Sequence, residues 1–376
     1  MVFRAVAVTD GTIRTALPAE YGSRDAGGID NLSAFLDHAG RLARSNADAP
    51  VQATVLGEGD RAVVPVTADA WRDDDWSVDL DLLESRVLAD VRLAGDAPGA
   101  AFWLGGATAN DNTTPIGALA VRFTSTGDSY AFWPHGGVTD LEYLVVAGGG
   151  GGGLLPASGN AGAGGGAGGL CTNVGDPSVV CDPFPCSVSV GAGGAPGENG
   201  EPSSLAGVNT VGGGAGGVTG GPGTSGSVGG SGGGGGAEGG GTAGEGNAGA
   251  AGATVTFGPN TRLKGGGGGG SQAGGAAPGG GNSPAGAGGP GLESAITGVA
   301  VRFAGGGGGG NDLGAGGTGG DGGGGAGRSG GGDGTAAVAG IDGTGGGGGG
   351  GGRTDTVVGA SAAGGSCVVI VRYALP

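Results

Sequence analysis

The sequence predicts a mainly β N-terminal module with one helix, followed by a glycine-rich domain of packed polyglycine-II-like segments pinned by short β-strands. Three observations lead there. Of 108 glycines, 15 lie in residues 1–140, so ordinary side-chain packing is available to the first part and denied to the second. Glycine in the second part comes in uninterrupted runs, six residues long from Gly148, Gly265 and Gly305 and eight from Gly345. Short apolar segments separate the runs, and the terminal Cys367-Val-Val-Ile-Val-Arg-Tyr373 is the most strand-like of them.

The first element is a strand, Val2 to Val8, ended by the turn pair Asp10-Gly11. An amphipathic helix follows. Asp30 is its N-cap, and Leu32, Phe35, Leu36, Ala39, Leu42 and Ala43 recur at helical spacing. Val51 to Val66 reads as two short strands around Gly57-Glu58-Gly59, and Val78 to Leu93 leans to β, although Leu80, Leu83, Val87 and Val91 also fit a helix. From Ala101 the segments Ala101–Leu104, Ala118–Thr124, Ser129–Trp133 and Leu141–Val146 are rich in aromatic and β-branched residues. Together they predict a small antiparallel sheet. The expected divisions are an N-terminal module at 1–100, this sheet at 101–146, and the glycine-rich domain at 147–376. Within the last, Ser187–Val190, Thr254–Phe257, Val299–Phe303 and Cys367–Tyr373 are expected as isolated strands.

What can a glycine run do? A flexible linker is the usual reading of glycine-rich sequence, but linkers do not alternate with Val-Val-Ile-Val strands. Collagen needs glycine at every third residue and abundant proline, whereas these glycines are consecutive. The strongest reading is a bundle of three-residue-per-turn glycine helices. Such helices have no internal hydrogen bonds, so their backbone groups must bond sideways to one another. A disordered tether and irregular glycine loops on a β scaffold are the alternatives. The runs at 265, 305 and 345 start 40 residues apart each time, which predicts a repeat.

Charge narrows the partners. The formal net charge is −17, and Lys264 is the one lysine. An acidic chain without a basic stripe is repelled by phosphate backbones and anionic lipid, so neither nucleic acid nor membrane insertion is expected. Residues 1–8 lack the long apolar stretch of an export signal, which predicts synthesis in a cytoplasm. Four cysteines, Cys171, Cys181, Cys186 and Cys367, do not have zinc-site spacing. A local disulfide among Cys171, Cys181 and Cys186 and free buried thiols are equally good readings.

The chemistry of catalysis is not expected. Gly229-Gly-Ser231-Gly-Gly233 and Gly327-Arg-Ser329-Gly-Gly331 fit the nucleophile-elbow string, but such matches arise by chance in glycine-rich sequence and lack a histidine partner. Asp73-Asp74-Asp75 between Trp71 and Trp76 reads as a solvated turn, and Trp103, Trp133 and Tyr130 read as core of a small sheet before they read as a sugar-binding surface. Neither a metal nor any other cofactor is expected.

The stretch from Val121 to Gly153 carries Phe123-Thr124, Gly127, Pro134, Gly137-Val138-Thr139 and Leu144-Val145-Val146, followed by a glycine run. It resembles the approach to the glycine-rich domain of phage tail fibres and minor tail proteins. Ser187-Val-Ser-Val-Gly-Ala-Gly-Gly194 is similar to that family's hairpin exit. Gly365-Ser-Cys-Val-Val-Ile-Val-Arg-Tyr373 is similar to its closing strand, with Cys367 where glycine is usual. The resemblance covers about residues 120–374. It implies a structural virion protein, located in the tail and displayed for host attachment, with residues 1–100 docking onto other tail proteins. It further implies a host-surface receptor, a glycan or envelope component, and homotrimers are common among tail fibres. Side chains are presented only between glycine runs, so Asn311, Asp312, Leu313, Arg328, Leu292 and Glu293 are the candidate receptor contacts, together with the 171–186 cysteine loop. The alternative is a glycine-rich cell-surface or ice-binding structural protein.

Overall fold

The computed structural model describes residues 6–9, 12–15, 51–56, 61–66, 86–93, 101–104, 118–124, 126 and 129–134. It also describes 140–374 apart from connections at 155–160, 176–178, 181–185, 220–224, 236–238, 258–259, 281–282, 298–299, 313, 331–333 and 354–358. Among the described residues nine strands precede the first glycine run: β1 (Val6–Thr9), β2 (Thr12–Thr15), β3 (Val51–Leu56), β4 (Arg61–Val66), β5 (Arg86–Leu93), β6 (Ala101–Leu104), β7 (Ala118–Phe123), β8 (Ser129–Pro134) and β9 (Asp140–Val146). Short strands then punctuate the glycine: β10 (Ala161–Gly162), β11 (Leu170–Thr172), β12 (Val179–Val180), β13 (Cys186–Ser189), β14 (Ser203–Leu205), β15 (Val208–Thr210), β16 (Val218–Thr219), β17 (Ala253–Phe257), β18 (Asn260–Lys264), β19 (Leu292–Ser294), β20 (Val301–Phe303) and β21 (Val368–Ala374). No helix occurs among the described residues. The helix expected from Asp30 lies outside them, as do residues 78–85.

Two sheets face each other. One has the order β11-β9-β21-β7-β3-β4-β1-β2, with β12 also on β9, and the other the order β15-β14-β13-β8-β5-β6. The single small sheet expected over 101–146 is therefore corrected. Its strands form and pair antiparallel, but β7 and β9 belong to one sheet while β6 and β8 belong to the other. Nor do β7 and β9 touch each other, because β21 lies between them, registered Val371 to Val121 on one side and Val368 to Val146 on the other.

Period-two alternation sends the odd and even residues of β21 to opposite faces. Tyr373 points at the second sheet, where its ring meets Phe132 at 6.2 Å, and Phe132 meets Phe123 edge-on at 5.8 Å. Val368 and Ile370 point the other way, into a cluster with Leu144, Val146, Leu170, Ile296 and Phe303. The strand is thus covered on both faces, so its stretch from Val368 to Val371 is apolar throughout instead of alternating. Arg372 ends that second face. It pairs with Glu142 on β9 and donates to the carbonyls of Ala295 and Ile296. The strands expected to be isolated are not. The terminal one is central to a sheet, β13 pairs with β8 and β14, and β17–β18 and β19–β20 are hairpins.

The glycine runs continue these strands and bond sideways with a three-residue step. Along 148–153, Gly148 and Gly151 donate to Glu201 and Glu198, Gly149 and Gly152 to Gly365 and Ala362, and Gly150 and Gly153 to Gly166 and Ala163. The carbonyls turn in the same rhythm. Those of Gly148 and Gly151 accept from Gly213 and Gly216, those of Gly149 and Gly152 from Gly194 and Gly197, and that of Gly150 from Gly348. Six neighbouring segments therefore surround this run. Residues 163–169 repeat the pattern, with donors reaching Gly217, Gly214 and Val211 in one direction, Gly266 and Gly269 in a second, and Gly348 and Gly345 in the third.

Close approach explains the composition. A Cβ added anywhere along Gly148–Gly153 would come within 3.0 Å of a backbone carbonyl oxygen, on Ala192, Gly346, Gly214, Ala195, Gly349 or Gly217 in turn. Every face of the run is occupied by another backbone. Energetics favour this only collectively. Ordering each residue costs about 1–2 kcal/mol, and most for glycine. The one lateral bond per residue returns about 0.5–1.5 kcal/mol. Cα–H···O contacts and dispersion must supply the rest, with the sheets fixing one end.

Equal spacing of the runs does not make an equal repeat. Residues 305–310 and 345–352 run parallel, since Gly347 and Gly350 donate to Gly305 and Gly308. Residues 265–270 run the opposite way, since Gly265 and Gly268 donate to Gly310 and Gly307. Forty residues thus span one full lap between the last two runs and a reversal between the first two.

Two outcomes follow. Gly151→Ala should cost about 3 kcal/mol or more, because backbone on all sides cannot yield, whereas Gly280→Ala, where nothing lies within 4 Å of the added Cβ, should shift the thermal midpoint little. Equal midpoints for the pair would refute the close-packed description. The Arg372 guanidinium holds the Glu142 carboxyl below its ordinary value, against the opposing effect of burial and with help from the Gly175 N–H. That stabilisation is present above the unfolded value of about 4.3 and is lost as pH falls through the lower folded value. The wild type should therefore exceed Glu142→Gln in stability at neutral pH, with the difference closing in acid denaturation scans below about pH 4.

Candidate functional site

The runs give the glycine bundle two ends. At the near end, Ala147 follows β9, Leu170 opens β11, Ala304 follows β20 and Cys367 precedes β21. At the far end, Gly153 bonds Ala163, Gly162 bonds Gly351, Gly310 bonds Gly162, and Gly265 bonds Gly310. The laps, not the sequence, decide which candidate contacts meet.

Asn311, Asp312 and Arg328 come together at the far end. Asn311 is buried. Its N–H donates to the Arg328 carbonyl at 3.0 Å, and its side-chain amide donates to the Ala315 carbonyl at 3.0 Å. It caps the 305–310 run. The Asp312 carboxylate accepts from the Leu263 N–H at 2.9 Å, tying the loop to β18. Arg328 is half-buried, and its Nε has no hydrogen-bond partner among the described residues. Leu313 lies outside those residues. Leu292 and Glu293 stand apart from this group, at the near end on β19. Leu292 packs against the Leu144–Ile370 cluster, and Glu293 forms an exposed ion pair with Arg302 at 3.5 Å.

Lys264 also belongs to the far end, and sequence reading assigned it no role. It is buried, with Nζ donating to the carbonyls of Gly279 and Ser283 at 2.9 and 2.7 Å and to Ser283 Oγ at 3.0 Å. Its ammonium therefore organises a connection between two runs. The signal for it was position: a lone cation where a strand passes into a glycine run.

The cysteines divide. Cys186 is disulfide-bonded, to a partner outside the described residues, while Cys171 and Cys367 are free thiols. Cys171 on β11 is half-buried, and its thiol is raised by burial and by the Glu245 carboxylate. Cys367 is fully buried, and burial pushes its thiol up to about 12. Ser231, in one of the elbow-like strings, is fully buried, and Ser329 Oγ in the other accepts from the Gly316 N–H at 3.0 Å. Among the described residues no three His, Cys, Asp or Glu side chains gather in a metal-binding group, and no helix is long and apolar enough to cross a membrane.

Thiolate is the reactive form, so a maleimide applied to the native protein near pH 8 should modify Cys171 and spare Cys367 until denaturant is added. Peptide mass mapping reads the outcome, and modification of Cys367 at the Cys171 rate would contradict its burial.

A family of glycine-rich domains matches residues 124–374. That interval begins at the end of β7 and closes on the last residue of β21, so it holds every glycine run together with the central strands that anchor them. No curated protein and no solved structure matches the chain. The three-step backbone bonding, the anchoring strands and the matched interval agree, and the chain belongs to the glycine-rich domain family.

Proposed function

We propose that this is a structural phage virion protein, a minor tail protein or tail fibre, that displays a polyglycine-II-like bundle for attachment to the host surface. One observation carries the reading. Interior backbones fill all lateral directions with one another, so side chains free for a specific contact concentrate where runs reverse, at the end remote from the sheets. Such a body is a stiff spacer, fused to sheets at its base and carrying side-chain-bearing connections at its tip. Binding, not catalysis, is the activity this suits.

In this reading residues 1–100 dock onto other tail proteins, and the far-end connections meet a glycan or envelope component of the host. Polyglycine-II geometry accounts for the three-residue alternation of donors and acceptors, and a homotrimer is compatible with it. The resemblance of residues 120–374 to the glycine-rich domain of tail fibres and minor tail proteins supports the setting. Support also comes from charge: a chain of net charge −17 is poorly suited to nucleic acid.

Phage particles assembled without this protein should lose most of their adsorption to host cells and regain it when the wild-type chain is supplied in trans. Particles that lack it and still adsorb at the normal rate would exclude the attachment role.

A further inference from the structure

The lap 211–217 meets backbone in five directions, where the run 148–153 meets it in six. Its N–H groups reach residues 148–151 and 231–234, and its carbonyls accept from 163–169, from Gly200 and from 227–230. In the remaining direction the Ala215 N–H meets a side chain, donating to Asn199 Oδ1 at 2.8 Å. A side-chain amide carbonyl thus stands where a sixth lap would place a peptide carbonyl. Asn199 is exposed and follows a tight turn. There the Glu198 N–H donates to the Ala195 carbonyl at 2.8 Å, and Gly197 has a φ of 81°. The Gly197 N–H donates to the Gly152 carbonyl, which sets this turn at the far end. Asn199 and Gly200 are the one Asn-Gly pair in the sequence. Glycine has no Cβ to shield its nitrogen or restrict its backbone, so a backbone attack on the preceding asparagine is least hindered there.

We propose that Asn199-Gly200 is a deamidation site gated by the bundle, closed while the 195–201 hairpin is docked and open when it lifts. The Gly200 nitrogen gives its proton to hydroxide and attacks Asn199 Cγ. The Cγ–Nδ2 bond breaks, ammonia leaves with a proton taken from water, and a succinimide closes. Water then opens the ring at either carbonyl, leaving aspartate or isoaspartate. The donor on Oδ1 polarises the Asn199 carbonyl, so the restraint lies with the nucleophile. The Gly200 N–H donates to the Gly213 carbonyl at 2.9 Å, and the half-buried Gly200 lies so close to Gly148 that an added Cβ would fall within 3.0 Å of its carbonyl oxygen. The nitrogen turns toward Cγ only when that bond is broken, which requires local opening of the hairpin. An isoaspartate adds one methylene to the main chain. The Gly200 N–H and the Glu201 carbonyl, which accepts from Gly148, would then fall out of the three-residue step. Either product adds a carboxylate beside the exposed Glu198. The inference holds whatever the far end binds.

The test ages the full chain at pH 8 and 37 °C, folded and in denaturant, and follows the Asn199 peptide by mapping that separates asparaginyl, aspartyl and isoaspartyl forms. Deamidation should be about 10-fold or more slower in the folded chain, and the factor should match the hydrogen-exchange protection of the Gly200 amide. Gly197→Ala strains the left-handed turn position, so it should raise the folded-state rate roughly 10-fold and leave the denatured rate unchanged. Gly280→Ala should alter neither. Equal rates in the folded and unfolded wild type, or a Gly200 amide that exchanges as fast as in the unfolded chain, would overturn the proposal. So would a folded Gly197→Ala chain that ages at the wild-type rate. The wild-type comparison decides the matter even if Gly197→Ala does not fold.

Discussion

Everything in this molecule depends on backbones that hydrogen-bond sideways to backbones with no side chain between them. A conventional core excludes water with apolar groups and leaves backbone bonding to helices and sheets. Here a run such as 148–153 has six neighbours and spends its donors and carbonyls on them in a three-residue cycle. The bonds are individually modest, and glycine pays the largest entropic penalty on ordering. The bundle can therefore exist only as a cooperative whole, attached to something that folds by ordinary rules.

The two sheets supply that attachment. Phe123, Phe132 and Tyr373 form a conventional aromatic core between them, and Leu144, Ile296, Phe303 and Ile370 form a second on the opposite face of the larger sheet. β21 contributes to both. It sits between β7 and β9, so the strand that follows all the glycine runs is also the one that joins the two halves of the sheet. Segment 362–365, just before it, completes the ring of neighbours around the first run. Sheet and bundle are closed by the same few residues.

Much of this was legible in the sequence, and the limits have physical causes. The strands at 51–66, 101–104, 118–123, 129–134 and 140–146 were found to within a residue or two, since their turn residues and β-branched content are local signals. Pairing was not legible. Nothing local in Val368–Ala374 says that it lies beside β7, about 250 residues earlier, although the unbroken apolar stretch from Val368 to Val371 recorded burial on both faces. The candidate site was legible in part. Asn311, Asp312 and Arg328 share an end because of the directions in which laps run, and the even 40-residue spacing concealed the reversal between 265 and 305. Lys264 stood out only as the lone lysine, beside a glycine run.

The three-residue cycle has a consequence for how such a chain can change length. Adding or deleting one or two residues inside a run would rotate everything beyond that point by a third or two-thirds of a turn. Each N–H would then aim at the wrong neighbour along the rest of the lap. Three residues restore the pairing one turn further on, provided the surrounding laps lengthen as well. Evolutionary variation in the shaft should accordingly proceed in coordinated triplets. The connections at the remote end, free of that arithmetic, can gain or lose residues one at a time.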